Sequence, residues 1–284
     1  MRGIKNGRDL NCYLHQLASR VCPGRKIHYL FKRVFLSVLW GVLFVQPMVH
    51  SAEVIFRDDF INPTLDQTLW GVADWKLGRT QLGLEPELKQ GIARLSFQTL
   101  ELAGTEIYTR RVFSRESGLE IKVRARFGKN PPGLVSGIFT YITGTDGASD
   151  EIDIEFLSKS TSISRNQLPV LLSTWRQWDE ANGDLGDVSH HWSSHISLTG
   201  FDPWAWHEYA IRWLPDSTQW FVDQKLVASS FQAQPDQPTR IHFNLWAPSA
   251  SWALAYSAFL TPSPDPRVNL KYFFDLDWIE VNRL

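Results

Sequence analysis

An all-β fold, a sandwich of two antiparallel sheets of jelly-roll type, is what the sequence predicts, and three observations carry it. Residues Leu119 to Phe127, LEIKVRARF, alternate with period two: Leu119, Ile121, Val123, Ala125 and Phe127 take one face, and Glu120, Lys122, Arg124 and Arg126 the other. Residues His207 to Ser230 hold two aromatic and β-branched runs around Pro215-Asp216-Ser217, a turn signal, and a third short run after Asp223-Gln224. No stretch of a dozen residues shows a sustained helical stripe, Gly and Pro are scattered, and no internal repeat or low-complexity tract stands out. About 230 residues of short strands fit one domain better than two.

The first segment has a different character. Residues 1–52 carry Arg2, Lys5, Arg8, Arg20, Arg25, Lys26, Lys32 and Arg33 against one acid, Asp9, followed by the uncharged run VFLSVLWGVLFV from Val34 to Val45, Pro47 and the small pair Ser51-Ala52. A basic flank, a short apolar core and small residues are the layout of a secretory signal, so cleavage after Ser51 or Ala52 and a secreted or periplasmic product are expected. The alternative is a membrane anchor over residues 34–52, although its apolar core is shorter than the roughly 18 to 20 residues that span a bilayer. A cleaved product would have no stable membrane association and is expected to be a monomer.

Composition narrows the function classes. The whole chain of 284 residues has a formal net charge of −1, 13 Trp and only 2 Cys and 2 Met. Eight of its 29 basic and one of its 30 acidic residues belong to residues 1–52, so residues 53–284 hold 21 against 29 and a net charge of −8. Both cysteines, Cys12 and Cys22, and both methionines, Met1 and Met48, fall in the leader, while twelve tryptophans remain beyond it. A sulfur-free domain suits an oxidising exterior and excludes thiolate metal sites, and the lack of a basic excess excludes a nucleic-acid partner.

The chemistry-bearing segment is DEIDIEFL, residues 150 to 157. On an extended strand Glu151, Asp153 and Glu155 share one face and Ile152, Ile154 and Phe156 the other. A merely solvated acidic face is the plain alternative, but three like charges at alternate positions repel, and a strand selected for solubility would mix in Lys or Thr. Paired carboxylates can instead do nucleophilic and general acid/base work on a glycosidic bond.

EIDIEF in this setting resembles the active-site strand of glycoside hydrolase family 16, whose pattern is E-x-D-x-E in licheninases and xyloglucan transglycosylases and a bulged E-x-D-x-x-E in laminarinases. The similarity extends from FRDDF (Phe56 to Phe60) through GLEIKVRARFGKNPPGLVSGIFTYITG (Gly118 to Gly144), WHEYAIRWLPDSTQWFVD (Trp206 to Asp223) and IHFNLWAP (Ile241 to Pro248) to DLDWIEV (Asp275 to Val281). The resemblance implies a concanavalin-like jelly roll over residues 53–284 whose concave sheet forms an open substrate cleft. It further implies Glu151 as nucleophile, Glu155 as acid/base and Asp153 as an electrostatic helper, with Glu106, Phe139, Tyr141, Asn244 and Trp246 contacting the sugar. No cofactor is needed for the chemistry, and the resemblance implies a possible structural calcium near Asp277, an ion that wants six to eight oxygens. For Glu155 to hold its proton near neutral pH, the field of Asp153 and Glu151 and partial burial should raise its pKa.

Sugar rings stack on aromatic faces, so the tryptophans divide between cleft and core. Trp246, paired by alternation with Asn244, is expected in the cleft; Trp213, Trp220 and Trp278, set among strand-forming apolar residues, are expected in the core. Trp175, Trp178 and Trp192 could serve either. Ser149 stands where licheninases usually carry Trp and xyloglucan enzymes His, and Tyr108 where many relatives have Arg; Asp223-Gln224 replaces the usual Asp-Gly turn at a cost in strain. His191 and His195 would make a metal pair on a helix, but no helical pattern supports one.

The expected activity is an exported retaining endo-β-glucanase acting on β-1,3-1,4- or β-1,4-linked glucans. A transglycosylase on the same polysaccharides and a non-catalytic glycan-binding sandwich remain as alternatives.

Overall fold

In the computed structural model the described residues are 52–159, 167–179, 187–263 and 265–284, with the side chains of 167–179 described from Pro169 onward. The expected leader and its apolar run from Val34 to Val45 lie outside them. In chain order the strands are β1 (Glu53–Asp58), β2 (Trp70–Val72), β3 (Lys76–Leu77), β4 (Thr80–Leu82), β5 (Glu87–Lys89), β6 (Ile92–Gln98), β7 (Ala103–Thr109), β8 (Leu119–Phe127) and β9 (Val135–Thr143). There follow β10 (Ser149–Leu157), β11 (Gln167–Trp178), β12 (His191–Thr199), β13 (His207–Trp213), β14 (Thr218–Val222), β15 (Lys225–Ser230), β16 (Arg240–Trp246) and β17 (Lys271–Arg283). Among the described residues there is no α-helix.

The strands form two layers. A cleft sheet runs in the order β2, β7, β16, β9, β10, β11, β12, antiparallel throughout. A back sheet runs β15, β14, β13, β8, β17, with β1 and β6 sharing the far side of β17 and β5 beyond β6. β7 joins the layers: Ala103 and Gly104 pair with β6 and β4, and the residues that follow pair with β16 and β2.

Period-two patterning explains why the layers stack. Leu119, Ile121, Val123, Ala125 and Phe127 of β8 are all buried, as their alternation requires, and meet Ile152, Ile154 and Phe156 of β10 and Phe243 and Leu245 of β16 in one core. Trp213 and Trp220 are fully buried, as expected, but Trp278 is not in the core. The register of β17 against β8 slips between Leu276 and Trp278, so two residues stand between the buried Leu276 and Ile279 where strict alternation allows one. The bulge leaves Trp278 half-buried on the outer face, with the Arg57 guanidinium 5.2 Å from its ring centre.

The hairpin between β14 and β15 has the expected strain. Val222 pairs with Lys225, leaving Asp223 and Gln224 as a two-residue turn at φ 47° and 65°. The Asp223 carboxylate offsets part of the strain by accepting from Glu208 N at 3.0 Å and bonding His207 Nδ1 at 2.7 Å.

Candidate active site

The three acids sit where five central strands of the cleft sheet keep one register from Glu151 onward, after a slip between β10 and β11 at Ser149, so residues from distant parts of the chain line up in ranks across it. From Ser149 to Leu157, β10 pairs with β9 with no slip, which makes the motif a regular, unbulged strand. Trp175, Glu151, Tyr141 and Arg240 form one rank. Ser173, Asp153, Phe139, His242 and Tyr108 form the second, and Leu171, Glu155, Gly137, Asn244 and Glu106 the third. Trp246 follows one step further along β16, opposite Val135.

Hydrogen bonds hold the middle rank. Asp153 is buried and its Oδ2 accepts from Ser173 Oγ at 2.5 Å and Trp175 Nε1 at 3.0 Å, while from the dry interior Trp220 Nε1 donates to the Asp153 carbonyl at 3.0 Å. Asp150, on the other side of the strand, ties down the cleft wall by accepting from the backbone N–H groups of Gln177, Asp236 and Gln237 at 2.6, 2.8 and 2.9 Å. Glu106 is buried and bonded by His242 Nδ1 at 3.0 Å and Asn244 Nδ2 at 3.2 Å. Donation from Nδ2 turns Asn244 Oδ1 toward Gly137, where it is buried without a partner. A Cβ on Gly137 would lie 2.5 Å from that oxygen, so only glycine leaves room for it.

Two cavities meet along these ranks. One, of about 350 Å³, is lined by Glu106, Phe139, Glu151, Glu155, Asn244 and Trp246, together with Trp75, Leu77 and Tyr141. The other, of about 690 Å³, is lined by Tyr141, Ser149, Glu151, Trp175 and Trp178 among others. Every side chain expected at the site thus faces the first cavity except Asp153, which lies beneath it. Residues 84–261 match the family model for glycosyl hydrolases family 16.

The chain belongs to glycosyl hydrolases family 16. It is 36% identical to a beta-glucanase of Bacillus amyloliquefaciens over 76% of this chain and 87% of that one, and 28% identical to a beta-glucanase of Bacillus licheniformis over 77% and 87%. Among solved structures, a prokaryotic beta-1,3-1,4-glucanase (lichenase) from a mouse hindgut metagenome superposes with a TM-score of 0.61 at 25% identity, covering 81% of this chain and 99% of that one. Membership makes the chain a glycosidase by family and accounts for the two-sheet sandwich.

Several residues of this family 16 chain lie beyond what its motifs foretell. Trp175 and Trp178 are on the cleft side, their ring centres 4.8 Å apart, whereas Trp192 packs on the core and stacks at 5.2 Å on Trp220. Ser149 pairs with Trp178, so an indole from the neighbouring strand lines the cavity beside the start of the motif. Trp75 and His242 had no sequence signal: Trp75 stands in a loop before β3, and His242 is drawn to Glu106 only by the register of β16 with β7. His191 and His195 lie on strand β12, paired with Trp175 and Leu171, and not on a helix. Among the described residues no three His, Cys, Asp or Glu side chains gather as a metal site. The surroundings of Asp277 do not fit calcium: Arg124 bonds its carboxylate, and Arg94 and Arg126 converge on the adjacent Asp275. A carboxylate already paired with a guanidinium is a poor ligand for a hard dication.

The electrostatics of the trio are one-sided. Burial, then the charge of Asp153, pushes Glu155 well above the usual carboxylate range. Burial and then Asp153 do the same to Glu151. Burial also raises Asp153, to about 6, against the opposing hydrogen bonds from Glu151, Ser173 and Trp175. For Glu155 the order differs from the sequence expectation: desolvation leads and the neighbouring charge follows.

Proposed function

We propose that the protein is a retaining endo-β-glucanase that hydrolyses β-1,3-1,4- or β-1,4-linked glucans, with Glu151 as nucleophile, Glu155 as acid/base and Asp153 tuning both. One observation carries this reading: Glu151 and Glu155 line the same cavity from one face of an unbulged strand, with the aromatic rings of Phe139, Tyr141 and Trp246 around them. The beta-glucanase names of the Bacillus relatives and the lichenase title of the structural neighbour support the substrate class.

The chemistry follows from the positions. Glu151 as carboxylate attacks the anomeric carbon while Glu155 passes its proton to the glycosidic oxygen, which leaves with the bonding pair; a glycosyl ester on Glu151 remains. Esterification removes the Glu151 charge. Glu155, now deprotonated, takes a proton from water as that water attacks the same carbon, and the second inversion restores the original anomer and frees Glu151. Burial first, and second the charge of Asp153, itself held by Ser173 and Trp175, keep the proton on Glu155 beforehand. Phe139, Tyr141 and Trp246 offer ring faces to sugar, and Asn244 lines the same cavity. The basic leader and apolar run of residues 1–52 support export of this activity.

Glu151→Ala tests the assignment. Turnover of barley β-glucan should fall on the order of 10⁴-fold or more, and azide should restore cleavage of an activated β-glucoside, released as a glycosyl azide of inverted configuration. Full activity in both Glu151→Gln and Glu155→Gln would sink it. Reducing ends counted on barley β-glucan, laminarin, xyloglucan and agarose, with product masses, decide linkage and separate hydrolysis from transfer.

A further inference from the structure

Beyond Tyr141 the cleft continues, on the β16 and β7 side of the acids, into a further cavity of about 470 Å³. Beside Ile142 and Thr143, its walls carry the rings of Trp75, Tyr108 and Tyr141 and the cationic or ionisable groups of Arg110, Arg240 and His242. Arg240 begins β16 directly opposite Tyr141, which is itself opposite Glu151, so it lies two strands from the nucleophile position, about 10 Å across the sheet at the usual strand spacing.

Arg240 is singular. Each of the other described arginines bonds a carboxylate or a backbone carbonyl, whereas the Arg240 guanidinium has no hydrogen bond or ion pair, and its Nε is buried without an acceptor. Arg110 gives its Nε to the carbonyls of Gln67 and Trp70 at 2.6 and 3.0 Å, and no carboxylate meets its outer nitrogens. In a domain with an acidic excess of eight over residues 53–284, two guanidinium groups kept apart from every carboxylate mark a place prepared for an anion from outside. The planar fork suits a carboxylate or a sulfate ester, and the neighbouring rings suit a sugar face.

We propose that this end of the cleft is a subsite for an acidic sugar, a ring bearing a carboxylate or sulfate ester, with Arg240 as its principal ligand and Arg110 as a second cation. The preferred polysaccharide is then a β-linked glucan carrying anionic units at intervals, and cleavage is directed to a bond at a set distance from each of them. This inference rests on the reading of the cleft as a β-glucan site.

The test is calorimetric titration of the full chain bearing Glu155→Gln with three ligands of identical linkage. These are β-1,3-1,4-glucan oligosaccharides, the same oligosaccharides oxidised at primary hydroxyls to glucuronyl units, and the same sulfated at those hydroxyls. An anionic ligand should bind at least about fivefold tighter than the neutral parent at low salt, with the preference shrinking as salt rises. Adding Arg240→Gln should erase that preference while changing affinity for the neutral parent less than about twofold. The stronger of the two anionic ligands names the group. Equal or weaker binding of both anionic ligands overturns the proposal, and needs no further variant; so does an Arg240→Gln loss that is the same for all three. The neutral parent reports separately on the underlying reading: parent bound without gain from charge removes only the acidic-sugar subsite, whereas no parent binding and no glucan turnover by the unmodified chain removes the glucan reading itself.

Discussion

On the outer face of the back sheet, each of the four carboxylates of β8 and β17 meets a cation: Asp275 lies between Arg94 and Arg126, Asp277 bonds Arg124, Glu280 is shared by Lys122 and Arg57, and Glu120 bonds Arg212. On the cleft face, Glu151, Asp153 and Glu155 stand on alternate positions of one strand, and among the described residues no lysine or arginine bonds any of them. The pKa shifts divide accordingly. Glu280 is held down to about 2, Lys122 first among the causes, and Asp275 is held low because Arg94 and Arg126 outweigh its burial. The cleft acids all move up. The same sandwich therefore uses carboxylates in two ways: ionised and paired where they tie strands together, and buried, crowded and raised in pKa on the cleft strand.

Cutting into the cleft side should have the largest effect. Glu155→Gln is expected to lower kcat on β-glucan by about 10²- to 10⁴-fold. The same change should stabilise the fold at alkaline pH. A carboxyl whose folded pKa is raised contributes stability only below its unfolded value and loses it as pH rises toward the folded value, so at pH 8 the unmodified acid is a burden that glutamine lacks. Thermal unfolding should show the variant melting about 3 °C higher at pH 8, with the gap closing near pH 4. A variant that melts lower at both pH values would erase the contrast between the faces.

Asp153→Asn comes next. Its charge is the second cause of the raised Glu155 pKa, so the alkaline limb of kcat/KM should move to lower pH, with a loss of about 10²-fold at neutrality. An unmoved limb would leave burial as the whole cause. On the back face, Asp275→Ala strands two guanidinium groups and should lower the unfolding free energy by about 1–3 kcal/mol in urea, with kcat unchanged. Smallest is Glu280→Gln, no more than about 1 kcal/mol at neutral pH because its partners Arg57 and Lys122 remain partly exposed to solvent. Its folded pKa is depressed, so that contribution is present above about pH 4.5 and vanishes as pH falls toward 2.

Features local to one strand were legible in the sequence. The alternation of residues 119–127 set the buried face of β8, the turn around Asp216 set the β13 and β14 hairpin, and the spacing of Glu151, Asp153 and Glu155 put them on one face. Alternation failed at Trp278 because a bulge adds a residue that no pattern announces. Contacts made by lateral register were hidden for another reason: Glu106 and His242 are 136 positions apart, and Arg240 meets Tyr141 only through the pairing of β16 with β9. Neither histidine nor arginine carries a local signal for such a position. The tryptophans of the cleft wall, Trp175 and Trp178, were undecidable because they alternate badly across a positive φ at Gln177.

Asp153 is gripped by two indoles, Trp220 on its carbonyl from the dry interior and Trp175 on its carboxylate from the cleft. Indole emission responds to hydrogen bonding and to collision with dissolved quenchers, so one residue carries a shielded fluorophore and a reachable one. With no thiol or thioether in residues 53–284, oxidative bleaching chemistry at sulfur does not intrude on the signal. If sugar lies over the acids as proposed, it covers Trp175 from iodide and leaves Trp220 as shielded as before, so the part of the emission of the twelve tryptophans that is lost to quenching reports occupancy.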